Sequence, residues 1–232
     1  KFCGQSCLGT LDTIKFTKLK SVATEHCDFP LFRAPYNFVW TISQSFPIVF
    51  LALAFDAEAV GYFAMAVAIA SAPATLLGST IESVFYSHVT NAVQAGKQVT
   101  MLIVKSSCLL LTLGTLVFVP LVFFGPALFE IILGPSWRDA GTYAGMLTPW
   151  LIFTLASRPA IAAIPAMKLQ KGLFLSEMLS LAVKITAMSA GSVYVGTATG
   201  SILLYAAAGS MAYLLLVVWV IKKTFTAEVS TH

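Results

Sequence analysis

The sequence predicts an all-α, polytopic membrane protein with six transmembrane helices and both termini on the cytoplasmic side. Three observations carry this. Hydrophobic residues make up 58% of the chain and charged residues 10%, where a soluble domain has about 25% charged residues, and the mean hydropathy is +0.85. The apolar stretches are continuous and about 20 residues long, as helical spans require, with none of the in–out alternation of barrel strands. The basic residues collect on alternate connections, which sets the orientation.

Residues 1–34 read as a basic, irregular cytoplasmic lead-in or inter-lobe linker carrying Lys15, Lys18, Lys20 and Arg33, with Pro30 and Pro35 breaking it before the first span. Residues 35–223 form the six-helix lobe, and residues 224–232 a cytoplasmic tail. The first span covers about 36–55. The second, about 60–86, opens after Asp56 and Glu58, holds Pro73 and Gly78 inside its apolar run, and carries Glu82 near its polar end. A membrane helix tolerates such a proline where a soluble core helix rarely does. The third span covers about 103–124 and is predicted to end at Gly125-Pro126. A short amphipathic segment with Trp137 and Tyr143 then suits the interface, where a ring keeps one wet edge. The fourth span, about 143–166, is interrupted by Pro149, Pro159 and Pro165; the fifth and sixth cover about 172–195 and 201–221.

Five basic residues lie in the lead-in (Lys1, Lys15, Lys18, Lys20, Arg33) and two on each of three further connections: Lys97 and Lys105, Lys168 and Lys171, Lys222 and Lys223. The opposite side has Arg138 alone, with Asp56, Glu58, Glu130 and Asp139. That asymmetry places both termini in the cytoplasm. The chain begins with Lys1 rather than methionine and shows no secretory signal, so it is expected to be a piece or a processed form of a longer protein.

The cysteines exclude more than they suggest. Cys3, Cys7, His26 and Cys27 superficially resemble metal ligands, but the C-x3-C spacing is loose and neighbouring His26 and Cys27 do not readily share one ion. No metal site and no cofactor are expected. Cys108 lies in an apolar run and is expected to pack as a small hydrophobe.

Four charged residues are candidates for membrane depth: Glu82, Arg158, Glu177 and Lys184. An ionisable group in a span costs at least ~2.5 kcal/mol at the centre, so it has a partner or faces water. At ~1.5 Å per residue Arg158 lies ~20 Å in from the outer end of its helix, and Lys184 lies near the middle of its own. Glu177 and Lys184, seven apart, share a helix face with Ser180 between them. In the functional reading Arg158 and Lys184 line a cavity and attract an anion, the arginine through paired donors and the lysine as a point charge. Glu82 and Glu177 are then coupling groups or ion-pair partners. In the structural reading Arg158 pairs with Glu82 or Glu177 to hold helices together, while Lys184 snorkels or pairs. Pro73, Pro149 and Pro159 are candidate hinges for alternating access, or static kinks.

Three stretches together resemble one family. They are DFPLFRAPYNFVWTISQSFPIVFLA, AEAVGYFAMAVAIASAPATLLGSTIESVFY and LFEIILGPSWRDAGTYAGMLTPWL, with a G-Y-F/Y-x-x-A segment, a P-x-x-L-x-G-S/T step and a G-x-x-W-x-x-A-G segment. From Asp28 to Lys171, and more weakly beyond, the chain resembles the carboxyl-terminal half of bacterial polysaccharide exporters. These are the O-antigen, capsule and exopolysaccharide flippases of the multidrug/oligosaccharidyl-lipid/polysaccharide superfamily.

The resemblance implies a transporter of two six-helix lobes around a central cavity in the bacterial inner membrane. It would export undecaprenyl-diphosphate-linked oligosaccharide units for surface polysaccharide biosynthesis. The diphosphate is the ligand that Arg158 and Lys184 would then meet. The chain departs from the family in carrying one lobe, so an amino-terminal lobe or a second chain is an expected partner alongside membrane lipid. Nucleic acid is not. Glu82 stands where members often have glutamine.

The competing readings are a cation-coupled multidrug-type exporter, which favours acidic groups in the cavity, and an enzyme such as a glycan polymerase or acyltransferase. Acyl transfer wants a buried base or an activated nucleophile, and His26, His88 and His232 all fall at cytoplasmic or terminal positions. No phosphate-binding glycine loop is present. The sequence therefore predicts transport, not catalysis.

Overall fold

The computed structural model of the chain describes residues 28–94, 98–167 and 169–229. The expectations for Cys3, Cys7, His26, Cys27, His232 and the lysines at 1, 15, 18, 20, 97 and 168 lie outside the described residues. The described residues form seven α-helices: α1 (Asp28–Ala54), α2 (Ala57–Gln94), α3 (Thr100–Leu133), α4 (Arg138–Ala156), α5 (Arg158–Ala166), α6 (Gln170–Ala190) and α7 (Ala198–Val229). A 3-10 turn (Pro135–Trp137) leads into α4 and a π-turn (Gly191–Val195) closes α6. With α4 and α5 counted as one interrupted span, six helical segments among the described residues are long and apolar enough to cross a membrane.

The fourth span is the hub. Of its most apolar window 78% is buried, against 17% in the first and third spans. It packs on α3, α2 and α7, while α6 lies between α1 and α7. The outer faces are apolar as well, with Leu53, Leu116, Phe123 and Ile131 largely exposed. With lipid as the solvent this costs nothing, and helix association rests instead on close backbone approach and polar contacts. The α3–α4 seam shows the first of these. A Cβ on Gly125 would stand 2.6 Å from the Gly141 carbonyl oxygen, and one on Gly141 would collide with the backbone of Gly125 and Pro126.

The helices run longer than their apolar cores. Helix α1 is already formed at Asp28, the first described residue, rather than near 36, and it carries Pro35 inside it. Helix α3 does not stop at Gly125-Pro126 but continues to Leu133, so the segment expected to lie along the interface is partly its last two turns. Pro126 and Pro120 are carried inside the helix, and Gly125 serves packing rather than termination. The true stop is Gly134, at φ +104°.

Helix α7 runs past Lys222 and Lys223 to Val229, where Glu228 accepts the backbone N–H groups of Val99 (2.6 Å) and Thr100 (2.9 Å). No side chain of its own segment caps α3, so a carboxylate from another span satisfies its free donors. Cys108 is exposed on the outer face of α3 rather than packed in the core.

Candidate functional site

The polar interior is built from α1, α2, α5, α6 and α7, each contributing residues at helical spacing. On α6 the buried positions Gln170, Leu173, Glu177, Ser180, Lys184 and Met188 form a single stripe. The shared face of Glu177 and Lys184 thus turns inward. Lys184 is 1% exposed. Its Nζ donates to Ser43 Oγ of α1 (3.0 Å), lies 3.8 Å from Glu177 Oε1, and stands 5.6 Å from the Tyr213 ring centroid. Small Gly209 leaves room for the lysine stem and the Trp150 ring.

Across Tyr213 lies a second charged group with a different character. Arg158, at the start of α5, reaches Glu82 of α2 (Nη1 to Oε2, 3.3 Å), and Arg33 of α1 approaches the other oxygen (Nη2 to Oε1, 3.8 Å). These side chains keep 20–28% of their surface exposed. They line a cavity of about 160 Å³ together with Tyr36, Asn37, Trp40, Thr154, Ile161 and Tyr213. A wider opening of about 480 Å³ shares Arg33, Glu82 and Ile161 and extends past Ser83, Tyr86 and Pro165. The Arg33 guanidinium also sits 5.4 Å from the Tyr36 ring centroid, a cation–π distance.

The sequence explains why the arginine head can cross to α2. Gly78 is one turn before Glu82, and a Cβ there would stand 3.0 Å from Arg158 Nε. Any side chain at 78 presses on the guanidinium. The break at Ser157 aims Arg158: Pro159 cannot continue the backbone ladder of α4, so α5 restarts with the proline in its first turn. Of the three candidate hinges, only Pro159 stands at a helix break; Pro73 and Pro149 lie inside α2 and α4.

The structure therefore brings Glu82 and Arg158 together, and separately Glu177 and Lys184. Lys184 is not among the residues that line the charged cavity, whereas Tyr213, whose ring it faces, is. Arg33, Tyr36 and Tyr213 complete the site and were missed from sequence. By charge alone Arg33 reads as part of the lead-in; the available signal is an arginine three residues before an aromatic-rich span. Among the described residues, no group of three or more His, Cys, Asp or Glu side chains is placed to hold a metal ion.

Six membrane-length helical segments among the described residues, the first, second, fourth and sixth of which line a cavity holding two arginines, define the class: a multi-pass membrane protein with a charged internal site. The family follows from comparison. Residues 13–142, more than half of the chain, match the model of the family described as polysaccharide biosynthesis protein, and the chain belongs to that family. The match takes in Arg33 and Glu82 and stops before Arg158, Glu177 and Lys184. No curated protein and no solved structure matches the chain.

Proposed function

We propose that the chain forms part of a flippase that carries undecaprenyl-diphosphate-linked oligosaccharide units across the bacterial cytoplasmic membrane by alternating access. In this reading there is no covalent step, and both termini face the cytoplasm, as the basic residues of the connections favour. The supporting observation is the cavity: two guanidinium groups share one carboxylate inside a bundle of membrane-length helices. Guanidinium forks match the oxygens of a phosphate, and within low-dielectric walls their charge reaches further than in water.

A cation-coupled exporter would instead favour an excess of acid in its cavity, and here the excess is basic. Arg158 and Arg33 hold the diphosphate, Trp40, Tyr36 and Tyr213 shape the wall, and the Glu177–Lys184 pair braces the wall from behind. The helix break at Ser157–Pro159 is the point about which α5 reorients.

The test is complementation of a flippase-deficient bacterial strain by the full-length parent gene. Restored surface glycan supports export of a lipid-linked unit. Absence of glycan in several such strains, with the protein present in the membrane, contradicts it.

A further inference from the structure

We propose that Glu82 is a built-in stand-in for the substrate anion: its carboxylate occupies the position between Arg33 and Arg158 that a diphosphate takes on binding. This rests on the anion-site reading above and adds what holds the site when it is empty.

Three observations carry the inference. First, the two carboxylate oxygens are divided between the two arginines, Oε1 toward Arg33 and Oε2 toward Arg158, so one small oxyanion bridges helices α1 and α5. Second, the fit is loose. Contacts of 3.3 and 3.8 Å exceed the ~2.7–2.9 Å of a good charge-assisted hydrogen bond, and Arg33 Nη1 and Arg158 Nε are buried without a hydrogen-bond partner. Two guanidinium groups offer ten N–H donors between them, more than one carboxylate can engage. Third, Glu82 lies where the 160 Å³ cavity and the wider 480 Å³ opening meet. An anion entering from the opening meets Glu82 before it reaches Arg158.

A diphosphate brings more oxygens and more charge than a carboxylate. It satisfies the idle donors and displaces Glu82, which swings into the wider opening beside Ser83 and Tyr86. Meanwhile Glu82 neutralises part of the charge of the empty site, so weakly held monovalent anions gain little there. The residue thus acts as a competitor in every binding event, lowering affinity and raising selectivity.

The experiment is equilibrium binding to the purified full-length protein in nanodiscs, with two probes: inorganic pyrophosphate and farnesyl diphosphate. Displacement predicts that Glu82→Gln binds both probes more tightly than wild type, by up to about fivefold. Glu82→Asp, which keeps the charge but reaches less far, falls between the two. Arg158→Gln loses binding in either background. If wild type binds and Glu82→Gln is unchanged or weaker, the stand-in role is overturned. If Glu82→Asp matches wild type while Glu82→Gln is tighter, the effect is one of net charge, and displacement is again overturned. A gain for farnesyl diphosphate alone would assign the displaced position to the prenyl chain instead of the diphosphate, and would also overturn it. If no variant binds either probe, the anion-site reading itself falls, an outcome distinct from the others.

Discussion

The bundle has a closed side and an open side, and each carries an acid–base pair. On the closed side Glu177 and Lys184 are 4% and 1% exposed and 3.8 Å apart on one helix stripe; Ser43 accepts from the lysine, while Glu177 Oε1 has no hydrogen-bond partner. On the open side Glu82 and Arg33 line both cavities, Arg158 lines the smaller one, and the two arginines retain donors with nothing to bond. The same chemistry does two jobs according to access. A sealed pair cannot meet a ligand without unpacking the helices around it, so its worth is structural. A pair at a cavity wall can exchange its partner, which is the property the proposed anion site uses.

Breaking the closed side should cost the most. Lys184→Met leaves the Glu177 carboxylate buried and unmatched, which typically costs about 3–5 kcal/mol. We expect a large drop in thermal stability in detergent and in membrane level. The double variant Lys184→Met/Glu177→Leu should recover most of it, because a buried ion pair replaced by apolar groups of similar volume is often near neutral. Gly141→Val attacks the α3–α4 seam, where a Cβ meets the backbone of Gly125. Overpacking of this kind costs about 1–3 kcal/mol, read as a lowered melting temperature.

Smaller effects sharpen the contrast. Glu228→Ala removes the cross-span cap of α3 and should cost about 1 kcal/mol, seen as faster hydrogen exchange in the first turn of α3. Arg158→Ala should leave stability almost unchanged, since half-open ion pairs contribute about 0–1 kcal/mol. Gly78→Ala should do likewise while weakening pyrophosphate binding, because the new methyl group pushes against the arginine head. The exposed Arg138–Glu130 pair, 2.7 Å apart at the start of α4, should be silent on substitution of either partner.

The family-like phrases now have physical content. In P-x-x-L-x-G-S/T, Gly78 is the gap that admits Arg158. In G-x-x-W-x-x-A-G, Gly134 adopts the positive φ that ends α3, and Gly141 is one half of the backbone seam. In G-Y-F/Y-x-x-A, Phe63 and Ala66 are buried, while Tyr62 meets Trp137 edge-on at 6.1 Å between ring centroids.

What was legible followed from local physics. Apolar run length gave the helices, and the seven-residue spacing put Glu177 and Lys184 on one face. Of the three prolines expected to interrupt the fourth span, Pro159 marks the break, while Pro149 and Pro165 lie inside α4 and α5. What was not legible depended on distant parts of the chain. Nothing local tells that Gly125-Pro126 continues a helix, because its reason is Gly141 on the next one. The partner Ser43 lies 141 residues from Lys184. Arg33 looked like one more cytoplasmic cation until the fold set it against Glu82. Tyr213, an ordinary aromatic in an apolar run, both faces Lys184 and lines the cavity of Arg158.

The most direct test of this division compares Arg158→Ala with Lys184→Met/Glu177→Leu in a complemented flippase-deficient strain, scoring surface glycan per unit of membrane-inserted protein. The account predicts that Arg158→Ala is present at a normal level and makes little or no glycan, with partial recovery in Arg158→Lys, while the closed-side double variant retains glycan in proportion to its level. Normal glycan from Arg158→Ala, or loss of glycan from a well-inserted double variant, would contradict it.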